Sequence, residues 1–229
     1  MLGTEGGLGV ISTDYQQIAE SQATEKPHAD SWRNPSIPAQ QLALTDQELI
    51  RWHSGEPIAP FDALRSCMQS IHTGTVLEVG CGVGHNGDVI QDSGAFTYAG
   101  VDYSEEFIRV ARERRRWFDF AVMDALLLDY QDKQFDVVVS GCCILHIVDW
   151  RRALAETARV ARKFVVLHRT PITQGATAYY FKLAYGVACV EIEFNEAELL
   201  GEMERLGFSE RGRYPVSAKN VTYLMERHV

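Results

Sequence analysis

From residue 75 onward, short apolar runs alternate with amphipathic stretches, the pattern of βαβ units stacked on a parallel sheet. The apolar runs predict strands at about 75–79, 97–101, 119–123, 135–140 and 163–168. Helices are predicted between them at about 85–93, 105–117 and 149–161. Ser104 and Asp149 stand where N-caps belong, and Glu105 and Glu106 suit the positive end of a helix dipole. A capped helix from Asn195 to about Leu206, stopped by Gly207, follows, and two strands at about 208–214 and 220–228 read as an antiparallel edge hairpin. The expected architecture is a doubly wound α/β fold with a mostly parallel, seven-stranded sheet.

Upstream, Thr45 and Glu48 read as a capping box opening a short helix to about Trp52, and Phe61 to Ile71 reads as a second helix. Residues 1–38 are rich in Gly, Ser, Thr, Gln and Pro without a sustained period, so a partly ordered arm is expected. Its residues with recognition potential are Tyr15, His28, Trp32 and Arg33. The division expected is an N-terminal arm and helical lid over 1–60 and an α/β domain over 61–229. The aromatic stretch at about 170–194, which has no clean period, is expected to cover a substrate.

The 229 residues are 46% hydrophobic and 23% charged, the balance of one globular domain. A net charge of -9 disfavours nucleic acid and anionic membranes as partners, and Arg112, Arg114, Arg115 and Arg116 read as a solvated helix face. Five cysteines without framework or zinc spacing predict neither disulfides nor a metal site, and fit a reducing cytoplasm. No targeting signal or membrane span is expected. Composition leaves monomer and homodimer equally open.

The most informative segment is Val76-Leu77-Glu78-Val79-Gly80-Cys81-Gly82-Val83-Gly84-His85-Asn86-Gly87, an apolar strand entering a glycine turn and then a helix. Such a turn lets backbone approach a ligand, and the helix start beyond offers N–H donors, so an adenosine-containing cofactor is expected. Gly82, Gly84 and Gly87, with Asp102 beyond, also satisfy the spacing of dinucleotide-binding oxidoreductases. Glu78 argues the other way: a carboxylate repels a diphosphate and attracts an ammonium or a sulfonium.

This segment, with "AGVDYSEEF", "FAVMDALLL" and "FDVVVSGCCILH" at the ends of later strands, resembles the class I (Rossmann-like) S-adenosylmethionine-dependent methyltransferases, of the small-molecule type 11/25 kind. The likeness covers about residues 75–168, with the last two strands in agreement. It implies S-adenosylmethionine as cofactor, S-adenosylhomocysteine as product, and a small-molecule acceptor methylated on O or N. By that resemblance Gly80, Cys81, Gly82 and Gly84 contact the methionine moiety, and Asp102, beside Tyr103, takes the ribose hydroxyls. Asp124 and the Ala125 N–H meet the adenine, and the turn from Ser140 through Gly141 to Cys142 faces the reacting methyl. Each acid also has a plain structural reading, as a buried carboxylate, a helix cap or a turn former.

Methyl transfer needs a general base only where the acceptor proton must leave early. His146 and His168, after the fourth and fifth of these strands, stand where one would act; His146 reads somewhat better as a packed histidine holding the loop, and His168, with Arg169, equally as orienting the substrate or forming a charge pair. Trp32, Arg169, Tyr179, Tyr180 and Tyr185 are the candidate substrate residues. No [ND]-P-P-[YF] tetrapeptide follows the fourth strand, where "SGCC" stands instead. Two other classes remain open: a nicotinamide-nucleotide oxidoreductase, and a noncatalytic module that binds S-adenosylmethionine.

Overall fold

The computed structural model describes residues 15–24 and 30–228; His28 lies outside the described residues. A short strand, β1 (Gln16–Ile18), and one helical turn, α1 (Glu20–Ala23), are followed by two helices, α2 (Ile37–His53) and α3 (Ala59–Gln69). The alternating region then unfolds as β2 (Thr73–Val79), α4 (His85–Gln91), β3 (Ala95–Asp102), α5 (Glu105–Arg114), β4 (Asp119–Val122), β5 (Phe135–Gly141), α6 (Trp150–Val160) and β6 (Ala161–Thr173). A hairpin of β7 (Ala178–Ala184) and β8 (Val187–Asn195) intervenes before α7 (Glu196–Arg205), β9 (Phe208–Pro215) and β10 (Asn220–Arg227).

Strands β4, β3, β2, β5 and β6 lie side by side and parallel, and β10 inserts antiparallel between β6 and β9. Burial on both faces explains the continuous apolar runs. Leu77, Val138, Val165 and Met225 pack with Trp150 and Leu154 of α6 and with Leu199 and Met203 of α7. Their chain neighbours Val76, Val137, Val166 and Leu224 point the opposite way, onto Leu64 and Met68 of α3, Ile90 of α4 and Ile108 of α5. Each such fully buried aliphatic side chain contributes about 1.5–3 kcal/mol.

Three expectations change. Thr45 does not cap a helix, because α2 begins at Ile37 and the Thr45 hydroxyl donates to the Gln41 carbonyl one turn back; the apolar period of α2 is too weak to announce its true start. Arg115 is not on a solvated face but is 2% exposed. Its guanidinium donates to Asp88, Asp46 and the Val83 carbonyl, fastening α2 and the start of α4 to the end of α5. The 170–194 stretch is regular. Strand β6 continues to Thr173 and pairs with β8, while β7 pairs with both β8 and β1. The two-residue turn Tyr185-Gly186 has positive φ at both positions, 53° and 76°, which suits the twist of a tight hairpin.

Candidate functional site

The glycine turn leaves β2 at the carboxyl edge of the sheet and is fastened there by backbone. Gly80 N–H and Cys81 N–H both donate to the Val101 carbonyl, at 2.8 and 3.0 Å. Gly80 has φ 70°, and a Cβ there would collide with the Cys143 side chain. Gly84, at φ 77°, is the N-cap of α4 and lies against the Phe120 ring. Both positions therefore demand glycine for conformation and for space.

Glu78 is not where the charge argument expects it. Its side chain lies beneath the turn, fully buried, and is absent from the cavity wall. Its carboxylate accepts from Asn86 Nδ2 at 2.7 Å and from the Tyr98 hydroxyl at 2.5 Å, and it presses on Gly141. Desolvation raises its pKa to about 7, against the lowering effect of those two donors. Glu78 thus braces the loop from below, and its repulsion of a diphosphate is not an argument about ligand choice.

Above the turn opens a cavity of about 670 Å³ along the carboxyl ends of the parallel strands, where open α/β sheets take ligands. Gly80, Cys81, Gly82, Asp102, Tyr103, Asp124, Ala125 and Gly141 all line it; Gly84 and Ser140 do not. Ser140 is 1% exposed and its hydroxyl accepts from the Ile144 N–H, so it holds the turn after β5 and faces inward. Asp102 accepts from Gly82 N–H and Ser104 N–H, one on each oxygen, both at 3.0 Å. Burial nevertheless raises its pKa to about 6. Asp124 is exposed and accepts from the Leu126 N–H at 2.9 Å.

Aromatic and cationic side chains complete the cavity wall. Trp32 packs against His146 at 4.7 Å between ring centres and against Tyr185 at 6.3 Å. Arg33 lies over the Tyr103 ring at 4.7 Å. His146 Nδ1 sits 2.6 Å from the Val190 carbonyl, so that nitrogen carries the proton and Nε2 is left as an acceptor. Desolvation lowers the His146 pKa to about 3. Trp32 Nε1 and His85 Nδ1 are buried without a hydrogen-bond partner among the described residues, and both residues line the cavity.

Several candidates fall elsewhere. His168 is 2% exposed and pairs with the Thr222 hydroxyl at 2.9 Å, away from the cavity. The next residue, Arg169, has φ 55° at an irregularity in the β6–β10 pairing and lines the cavity instead. Tyr179 belongs to the core, and Tyr180 meets Tyr15 edge-on and donates to Glu193. Of the three candidate tyrosines of the hairpin only Tyr185 lines the cavity. Sequence reasoning missed Gln41, Phe107 and Lys182 as lining residues; strand alternation along β7 would have paired Lys182 with Tyr180 on one face, but the hairpin itself was not legible.

The sheet has ten strands and not the seven expected, because β8, β7 and β1 extend it beyond the end of β6; its order β4-β3-β2-β5-β6-β10-β9, the antiparallel insertion of β10 and the crevice over the glycine turn define the class I S-adenosylmethionine-dependent methyltransferase fold. Residues 77–167 match the family described as Methyltransferase domain. The chain is similar in structure to a didemethyltoxoflavin N1-methyltransferase of Burkholderia thailandensis, solved with its substrate and S-adenosylhomocysteine (TM-score 0.57, 18% identity, 84% of this chain and 91% of that one). A magnesium protoporphyrin IX methyltransferase of Synechocystis with S-adenosylmethionine gives TM-score 0.58 at 16% identity over 92% and 98% of the two chains. In sequence, phosphatidylethanolamine N-methyltransferase of Cereibacter sphaeroides is 35% identical over 96 residues, 39% of this chain and 46% of that protein. Demethylmenaquinone methyltransferase of Renibacterium salmoninarum is 32% identical over 87 residues, 38% and 36% of the two lengths. The matches thus span less than half of these two relatives. No helix among the described residues is long and apolar enough to cross a membrane.

Proposed function

We propose that this chain is a methyltransferase that binds S-adenosylmethionine over the glycine turn and methylates a small molecule at the aromatic side chains of the same cavity. The observation that carries the reading is one cavity lined by Asp102 and Asp124 together with Trp32, His146 and Tyr185. The donor set fits the cofactor. The two Asp102 oxygens are each engaged by a backbone N–H and retain lone pairs for a vicinal diol. The turn residues Gly80 and Gly82 line the cavity. Asp124 and the Ala125 N–H supply an acceptor and a donor for an adenine edge.

When bound, the cofactor supplies a methyl group on a sulfonium, whose carbon–sulfur bond breaks with the electron pair left on sulfur. The protein's share is to orient the acceptor, exclude water and accommodate its proton. His146 Nε2 is a free acceptor on the cavity wall, and the Val190 carbonyl fixes its tautomer. With its pKa near 3, His146 is neutral and orients an acceptor hydroxyl or amine; it is a weak base as it stands. Enclosure among Trp32, Phe107 and Tyr185 favours a small acceptor over a polymer, as does the net charge of -9.

Calorimetric titration with S-adenosylmethionine and S-adenosylhomocysteine, followed by labelled-methyl transfer to metabolite extracts, tests the reading. Binding of both with transfer to a small molecule is expected. Binding without transfer to any acceptor points to a noncatalytic module, and binding of a nicotinamide nucleotide in their place refutes the assignment.

A further inference from the structure

On the cavity wall stands a cation that no carboxylate among the described residues holds. Arg169 lines the cavity, is partly buried, and makes no hydrogen bond or ion pair to any described residue. Glu48 acts on it through space, from beyond ion-pair distance, and the nearby Lys182 is engaged by Glu191. The imidazole of His146 is neutral and offers no countercharge. A partly buried guanidinium without a partner among the described residues keeps its donors available to an oxyanion in the cavity. The backbone there is strained: Arg169 has φ 55°, and Cys142, also on the cavity, has φ 62°. Left-handed conformations for residues with side chains cost about 1–3 kcal/mol each and gather at ligand sites. The strained backbone at Arg169 interrupts the alternation of β6 just after His168 turns inward, and aims the guanidinium at the cavity.

We propose that the methyl acceptor is a small organic acid whose carboxylate or phosphate is held by Arg169 and whose apolar body lies against Trp32, His146 and Tyr185. The planar guanidinium has five donors matched to an oxyanion, and the aromatic surface beside it takes the remainder of the molecule. The proposal rests on the methyltransferase reading and specifies its substrate class.

The test titrates the full chain, with and without saturating S-adenosylhomocysteine, with cinnamate, indoleacetate, octanoate and phenyl phosphate, each beside its uncharged amide or alcohol. At least one acid is expected to bind about 30-fold more tightly than its uncharged counterpart, the lower range for a hydrogen-bonded charge pair. The carboxylates against phenyl phosphate show which oxyanion is preferred. Arg169→Gln should abolish the preference and leave affinity for S-adenosylhomocysteine unchanged. Arg169→Gly should abolish it too, yet raise Tm, because glycine accepts φ 55° without strain. The proposal is overturned if no acid outbinds its uncharged counterpart, if the preference survives Arg169→Gln, or if Arg169→Gly lowers Tm and so assigns the side chain to the fold. A protein that takes no S-adenosylhomocysteine, yet prefers acids through Arg169, refutes the cofactor reading and with it the role of the acid as methyl acceptor, leaving Arg169 as an oxyanion site alone.

Discussion

Replacing Glu78 by glutamine should stabilise the protein, and more so as pH rises. The carboxyl is fully buried and its pKa is raised from 4.5 to about 7, chiefly by desolvation. At about 1.4 kcal/mol per pH unit, keeping it ionised costs about 3 kcal/mol at neutral pH and above. The sign follows from proton linkage. The folded state binds this proton more tightly than the unfolded chain does, so the group's contribution is full below pH 4.5 and is lost as pH rises through about 7. A glutamine carries no such cost, and its hydrogen bonds can be met. Its carbonyl accepts from Tyr98, and its amide donates to Asn86 Oδ1, which is buried without a partner, once the Asn86 amide turns over. Urea unfolding of both proteins between about pH 4.5 and 8 measures the difference. It should widen by about 3 kcal/mol in favour of Glu78→Gln across that range. A difference that does not change with pH, or that widens in the opposite sense, refutes the account of Glu78 as a buried brace. Glu78→Ala, which leaves a cavity and orphans two donors, should be destabilising throughout.

Asp102→Ala should weaken S-adenosylhomocysteine binding about 100-fold, the worth of two hydrogen bonds to a charged acceptor, and undiminished affinity by calorimetry removes Asp102 from the site. Because the Asp102 pKa is raised to about 6 and ligand hydroxyls favour its ionised form, affinity should fall as pH drops through about 6; a flat affinity profile from pH 5 to 8 contradicts this. His146, with its pKa near 3, should show no imidazole titration by NMR between about pH 5 and 8. Arg115→Met should cost about 3 kcal/mol in urea unfolding, because Asp46 and Asp88 lose a buried partner; a loss below about 1 kcal/mol would return Arg115 to the surface role its sequence suggested.

The strands of the central sheet were readable because burial on both faces demands uninterrupted apolar residues. Val76, Val137 and Val166 serve one face, and Leu77, Val138 and Val165 the other. The caps at Ser104 and Asn195 were readable for an equally local reason, since each side chain accepts from a backbone N–H three residues on. The β7–β8 hairpin was not. Its strands bury parts of both faces against β1, the turn after β5 and the Trp32 segment, so Tyr179, Tyr180 and Phe181 show no period-two signal.

What the sequence by itself determined is the glycine turn, the acids at the strand ends and the doubly wound order, because these depend on spacing within short segments. Tertiary structure alone decided which side of the turn each group occupies. Glu78 and His168 point into the sheet, where neighbouring strands and desolvation control their charge, while Arg169 and Lys182 point into the cavity. One residue of strand register, or one left-handed residue, reverses a side chain's direction, and neither leaves a pattern that the chain shows before its strands are paired.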